Sequence, residues 1–135
     1  ENPTSSFKST NLSMVQSIAE YICSHYSEKL TIEKLAVMSF MSRSQFNRNF
    51  KKVLDISPGE YINKVRIEVG KRLLGTFSLS VADIAERIGF SSASYFSNIF
   101  KKCMGVTPLQ YRNYLQFSLP SEDKAALFDD EEGNN

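Results

Sequence analysis

Long apolar runs are missing from this 135-residue sequence, whose apolar residues come in short clusters broken by charged or polar ones. None approaches the roughly 20 residues a membrane-spanning helix needs, so no span is expected. Glu1 to Thr10 is polar and lacks the apolar stretch of a signal peptide. With no methionine at its start, the chain is expected to be a piece of a longer protein or a processed form. Histidine occurs once, at His25, which rules out a multi-histidine metal site. That residue is expected near the end of a first helix, where a cation is mildly favoured. Cysteine occurs twice, at Cys23 and Cys103, in apolar helical contexts without partner spacing. Two buried, reduced thiols in a cytoplasmic protein are expected rather than a disulfide. No glycine-rich phosphate loop, no histidine pairable with a nucleophile and no clustered metal ligands occur, so neither an enzyme nor a cofactor is expected.

What is present is divided by charge. Leu12 to Leu115 carries 14 Lys/Arg against 8 Asp/Glu, whereas the last 20 residues carry six acids (Glu122, Asp123, Asp129, Asp130, Glu131, Glu132) against Lys124 alone. The basic stretch points toward a polyanion, and the tail is expected to be disordered.

The basic stretch is also a repeat. At an offset of 49, Thr31, Ile32, Leu35 and Ala36 pair with Ser80, Val81, Ile84 and Ala85. At an offset of 50, Ser42, Ser44, Phe46, Phe50, Lys51, Lys52, Pro58, Tyr61 and Asn63 recur as Ser92, Ser94, Phe96, Phe100, Lys101, Lys102, Pro108, Tyr111 and Asn113. The one-residue slip falls between two segments of each copy, where a loop absorbs it.

Each copy spells helix, turn, helix. Thr31 and Ser80 are placed to cap a short first helix, and Ser42 and Ser92 a second, with Gln45 completing a capping box after Ser42. Phe46, Phe50, Val53 and Leu54 take the spacing of one buried face. Phe96, Ile99, Phe100 and Cys103 do the same in the second copy, where Gly89 supplies the turn. Ser57-Pro58-Gly59-Glu60 opens a long helix that buries Tyr61, Ile62, Val65, Val69, Leu73 and Leu74 and stops at Gly75. Thr107-Pro108 opens a closing helix with Tyr111 and Leu115. At the front, Leu12, Val15, Ile18, Ala19 and Ile22 make an amphipathic helix.

The expected fold is all-α with seven helices: two helix-turn-helix subdomains joined by a long linker helix. Its divisions are a flexible segment 1–11, a first subdomain 12–55, the linker 56–76, a second subdomain 77–115 and the tail 116–135.

A helix-turn-helix sets its second helix in the major groove of duplex DNA, propped by the helix before it. Away from the Phe46/Phe50 stripe lie Arg43, Ser44, Asn47, Arg48 and Lys51. Away from Phe96/Phe100 lie Ala93, Ser94, Ser97, Asn98 and Lys101. Arg and Asn suit bidentate contacts to guanine and adenine edges, and serines adapt to either. Lys51, Lys52, Lys101 and Lys102, with Arg43 and Ser92, are expected on the DNA backbone. Arg66, Lys71 and Arg72 are divided between such contacts and pairing with Glu60 or Glu68. The 17 residues from Pro58 to Leu74 span about 25 Å as a helix. With flanking turns they could hold two reading helices near the ~34 Å spacing of successive major grooves.

Leu35-Ala36, Ser42-Arg43-Ser44, Phe46, Arg48, Phe50-Lys51-Lys52, Ser57-Pro58, Tyr61 and Arg66 resemble the first half of an AraC/XylS-type DNA-binding domain. Asp83-Ile84-Ala85, Gly89-Phe90-Ser91-Ser92, Tyr95-Phe96-Ser97, Phe100-Lys101-Lys102, Gly105, Thr107-Pro108 and Tyr111-Arg112 are similar to that family's second-half signature. The resemblance covers residues 12–115. It implies a bacterial transcription regulator, usually an activator, that binds double-stranded DNA and works with RNA polymerase. It also implies a sensing or receiver domain that this chain does not contain. By motif position, Ser44, Asn47 and Arg48 would face bases in the first unit, and Ser94, Ser97 and Asn98 in the second. Phe40 stands where that family often has a turn glycine, so a differently built turn is expected. Asn98 stands where a basic residue is common, so looser reading is expected there. A competing expectation is a helical protein-interaction module using the same basic faces.

Overall fold

The computed structural model describes the backbone of residues 3–118 and the side chains of residues 11–117. Over these residues the chain forms seven helices and no strand. They are α1 (Pro3–His25), α2 (Ile32–Met38), α3 (Arg43–Leu54), α4 (Pro58–Leu74), α5 (Val81–Arg87), α6 (Ala93–Met104) and α7 (Pro108–Ser118). Two compact units divide between Val65 and Arg66, so the first half of α4 belongs to one unit and the second half to the other.

Local chemistry sets the helix starts. Thr31 Oγ1 accepts from the Lys34 N–H, and Ser42 Oγ accepts from Gln45 while Gln45 Oε1 accepts from the Ser42 N–H. Ser80 and Asp83 form the same reciprocal box at α5. Ser57 Oγ caps α4 through the Glu60 N–H, and Thr107 with Gln110 closes a box at α7. Each such cap is worth about 1 kcal/mol, because it satisfies donors that the first helical turn leaves open.

In the first unit, Val15, Ile18 and Ile22 of α1 meet Leu35 and Ala36 of α2, Phe46 and Phe50 of α3, and Ile62 of α4 in one buried cluster. The second unit buries Ile67 and Leu74 of α4 with Ile84, Ala85, Ile88, Phe90, Phe96 and Phe100. Ile67, Gly70 and Leu74 repeat the spacing of Val15, Ile18 and Ile22, so the second half of α4 serves its unit as α1 serves the other. At Gly70 the helix comes so close that an added Cβ would lie 3.1 Å from Ile88 Cδ1 and 3.3 Å from the Phe96 ring. An aromatic ladder recurs as well. Phe46–Phe50–Tyr61 has centroid spacings of 5.7 and 5.5 Å, and Phe96–Phe100–Tyr111 has 5.8 and 5.5 Å.

Four expectations need correction. First, α1 begins at Pro3 rather than near Leu12, so residues 3–11, expected as a flexible segment, are helical. Proline costs nothing at a first helical position, and no glycine or further proline interrupts the stretch behind it. Leu12 itself is 45% exposed, outside the buried stripe. Second, Cys23 and Cys103 are both exposed rather than buried. Cys103 keeps the helical phase of Phe96, but it sits in the last turn of α6, where the core beneath has ended. Third, the linker helix buries Arg66, Ile67 and Gly70 and leaves Tyr61, Val65, Val69 and Leu73 half-buried. A single apolar stripe fails here because the two halves serve different cores. Fourth, the first unit's turn is built like the second's. Phe40 N–H donates to Val37 O and Met41 N–H to Ala36 O, just as Gly89 N–H donates to Glu86 O and Phe90 N–H to Ala85 O. Both are helix ends of Schellman type, with left-handed φ of 56° at Phe40 and 96° at Gly89. Away from glycine that conformation costs roughly 1–2 kcal/mol.

The expected tail, residues 116–135, lies outside the described residues from 119 onward; Gln116 to Ser118 continue α7. No described helix is long and apolar enough to cross a membrane.

Candidate nucleic-acid interface

The reading surface of the first unit starts from burial. Phe46 and Phe50 take one side of α3 into the core, so positions at i, i+4 and i+7 from Ser44 fall on the opposite side. Ser44, Arg48 and Lys51 form that exposed stripe, and Asn47 stands beside it, half-buried. Of the α3 residues expected to meet DNA, Lys52 and Arg43 stand off the stripe. Lys52 lies on the flank toward α1, beside Asn49, Val53 and Asn11. Arg43 reaches back to α2, where its Nη1 donates to Glu33 Oε1 at 2.6 Å. Both partners are mostly exposed, so the pair contributes under about 1 kcal/mol and can exchange for a phosphate.

The second unit repeats the arrangement. Burial of Phe96 and Phe100 leaves Ser94, Asn98 and Lys101 as the exposed stripe of α6, with Ser97 half-buried beside it and Lys102 on the flank. Ser92, expected on the DNA backbone, uses its Oγ to accept from the Tyr95 N–H as the helix cap. Its own amide group is not tied into a capping box, because Tyr95 replaces the glutamine found at Gln45.

Neither α3 nor α6 carries an acidic residue. The lysine pairs close the last turn of each helix, where cations are also favoured by the helix dipole, so helix stability alone accounts for part of their placement. Arg48 is different: it stands mid-helix, where the dipole gives a cation no benefit, on the side facing solvent.

Two residues that sequence reasoning undervalues meet at the Phe90 ring, Arg66 from α4 and Tyr95 from α6. Arg66 is 8% exposed, with its guanidinium 5.6 Å from the centroid of the Phe90 ring. Burial pushes its pKa below the usual arginine value, and the nearby Tyr95 pushes it back up. Tyr95 packs edge-on against Phe90 at 5.5 Å and remains 43% exposed. Both roles that charge patterning offers Arg66, phosphate contact and pairing with Glu60 or Glu68, need a surface position. A signal lay in the position of Phe90, whose ring follows the turn glycine and needs cover. Lys71 does pair with Glu68, at 3.7 Å. Arg112 is structural: Nε and Nη2 donate to Leu74 O and Thr76 O at 3.0 and 3.2 Å, closing the end of α4. Burial lowers its pKa as well. Among the described residues, no group of His, Cys, Asp and Glu is placed to hold a metal.

Comparison with known proteins agrees with this geometry. A protein-family model described as "Helix-turn-helix domain" matches residues 35–114. The chain is 38% identical over 94 residues to the Bacillus subtilis "Bifunctional transcriptional activator/DNA repair enzyme AdaA", an alignment covering 66% of this chain and 44% of that protein. Among solved structures, it is similar to the C-terminal domain of AraT, a response regulator from Geobacillus stearothermophilus, with a TM-score of 0.70 and 39% identity. That match covers 74% of this chain and 84% of the other. It is also similar to the DNA-binding domain of AdpA in complex with a target DNA, with a TM-score of 0.74, 28% identity and coverage of 79% and 96%. The chain spans less than half the length of the curated relatives it matches. Two capped helix-turn-helix copies, each opening a polar, acid-free second helix to solvent, together with these matches, mean that the chain belongs to the AraC/XylS-type helix-turn-helix domain family.

Proposed function

We propose that this chain is the sequence-specific, double-stranded-DNA-binding module of a bacterial transcription regulator, with α3 and α6 in successive major-groove segments. The observation that carries the reading is the repeated stripe. Ser44, Arg48 and Lys51 on one helix and Ser94, Asn98 and Lys101 on the other occupy equal positions on helices that each start at a serine cap. On this reading Ser44, Asn47 and Arg48, and Ser94, Ser97 and Asn98, contact base edges, while Lys51, Lys52, Lys101 and Lys102 contact phosphates. Arg43 joins them when it leaves Glu33, and Ser92 offers its amide group. Base contacts specify and phosphate contacts position.

The names of relatives support an activator and a response-regulator setting. That the module acts in the cytoplasm, engages RNA polymerase and works under a sensor or receiver domain elsewhere in the protein is proposed from the family resemblance alone. DNA repair belongs to the name of one relative that is more than twice as long as the matched stretch.

The test is a titration of random-sequence duplex at several salt concentrations. Groove binding predicts that log K falls linearly with log salt, with a slope of about −0.9 per phosphate neutralised. Weak, salt-indifferent retention would instead favour the protein-interaction module.

A further inference from the structure

We infer that Phe40 is a specificity-determining residue that contacts the 5-methyl group of a thymine beside the bases read by α3. The inference rests on the duplex-reading role proposed above and adds a residue that the reading stripe does not contain.

Phe40 lies two residues before Ser42, the cap of α3, at the end of the reading helix that approaches base edges. Its backbone is held left-handed at φ 56°, and its ring is 97% exposed. Folding therefore gains nothing from the ring and loses by the backbone. The second unit supplies the control. Gly89 completes the same turn with the same two hydrogen bonds and no side chain. A glycine at Phe40 would relieve the backbone and remove an exposed apolar group, so the aromatic is explained by something outside the fold.

Exposure also says what kind of group it is. Val37 and Met38 are exposed nearby, but a ring that is 97% exposed rests on neither. It projects as a finger rather than tiling a flat patch. An uncharged ring gains nothing from a phosphate. The apolar feature that the major groove offers is the thymine methyl, and phenylalanine is among the side chains that contact it.

Deoxyuridine lacks only that methyl, which makes the inference testable atom by atom. Each thymine of a selected operator is replaced in turn by uracil and titrated with the wild-type chain, Phe40→Gly and Phe40→Asn. One thymine at the edge of the first unit's segment should matter to the wild type. Its replacement should weaken binding about fourfold, the worth of one buried methyl group. Both variants should bind the thymine operator several-fold more weakly and ignore the replacement at that position. Their melting temperatures should match or exceed the wild type's, because both residues tolerate left-handed backbone. Variants that bind the operator unchanged would overturn the inference and leave the Phe40 finger to a protein partner. Variants that weaken equally on thymine and uracil would overturn it too. A wild-type chain that binds no duplex would defeat the DNA reading itself, a result distinguishable from either.

Discussion

The α2–α3 and α5–α6 units share a backbone and differ in what they hang on it. At the two left-handed turns of the second unit stand Gly89 and Gly105, with φ of 96° and 81°; the first unit places Phe40 and Asp55 there, at 56° and 66°. The second unit is built from residues suited to each local conformation. The first accepts strain at both turns and carries Arg48 where the second carries Asn98. On the proposed reading, the unit less favourable locally carries the more discriminating side chain, which fits a first unit that reads sharply and a second that reads more loosely.

The largest expected effects test whether the cores are equivalent. Phe46→Ala and Phe96→Ala each remove a fully buried ring, and each should cost about 3–5 kcal/mol in denaturant unfolding. A loss at one position under half that at the other would break the equivalence.

Next come the reading residues. Arg48→Ala should cost about 1–3 kcal/mol of binding and relax specificity at one base position. Asn98→Ala should cost less, and Asn98→Arg should tighten binding. Equal weakening of Arg48→Ala on all sequences would reduce Arg48 to a phosphate contact.

Much of this was legible in the sequence, because capping and turn chemistry are local. Thr31, Ser42, Ser80 and Ser92 marked helix starts correctly, and the Phe46/Phe50 and Phe96/Phe100 stripes marked the buried sides. What was not legible depended on partners distant in sequence. A cysteine in the phase of Phe96 looks buried until the extent of the core beneath is known. Arg66 looked like surface charge because only the folded unit brings Phe90 under it. The shared role of α4 was hidden because periodicity assumes one helix faces one core. Phe40 was misread for a different reason: its turn's hydrogen bonds belong to the backbone, which is indifferent to the side chain as long as the strain is tolerated.

Turn chemistry gives the next smaller effects. No atom lies within 4 Å of a Cβ added at Gly105, so Gly105→Ala should cost about 1 kcal/mol through the left-handed backbone alone. Asp55→Gly should stabilise the chain by less, since aspartate already tolerates that region. Thermal melts of the two variants should move in opposite directions.

The smallest effect is one of pH at the cap of α5. Hydrogen bonds from the Ser80 side chain and backbone hold the Asp83 carboxyl below its ordinary pKa. The charged form is therefore favoured by folding. Its contribution is present above the ordinary carboxylate range and disappears as pH falls through the depressed value. Ser80→Ala should flatten that part of the stability profile, whereas Ser92→Ala, at a helix without a capping box, should leave it intact.

The central claim is that both units read DNA, and selection of duplexes from a random pool at near-physiological salt, followed by sequencing, tests it most directly. Reading by both units should yield two short conserved blocks centred about one helical turn apart, the block lost in Arg48→Ala being the sharper. A single block would contradict it by leaving α6 to grip the backbone, and no enrichment would remove DNA reading altogether.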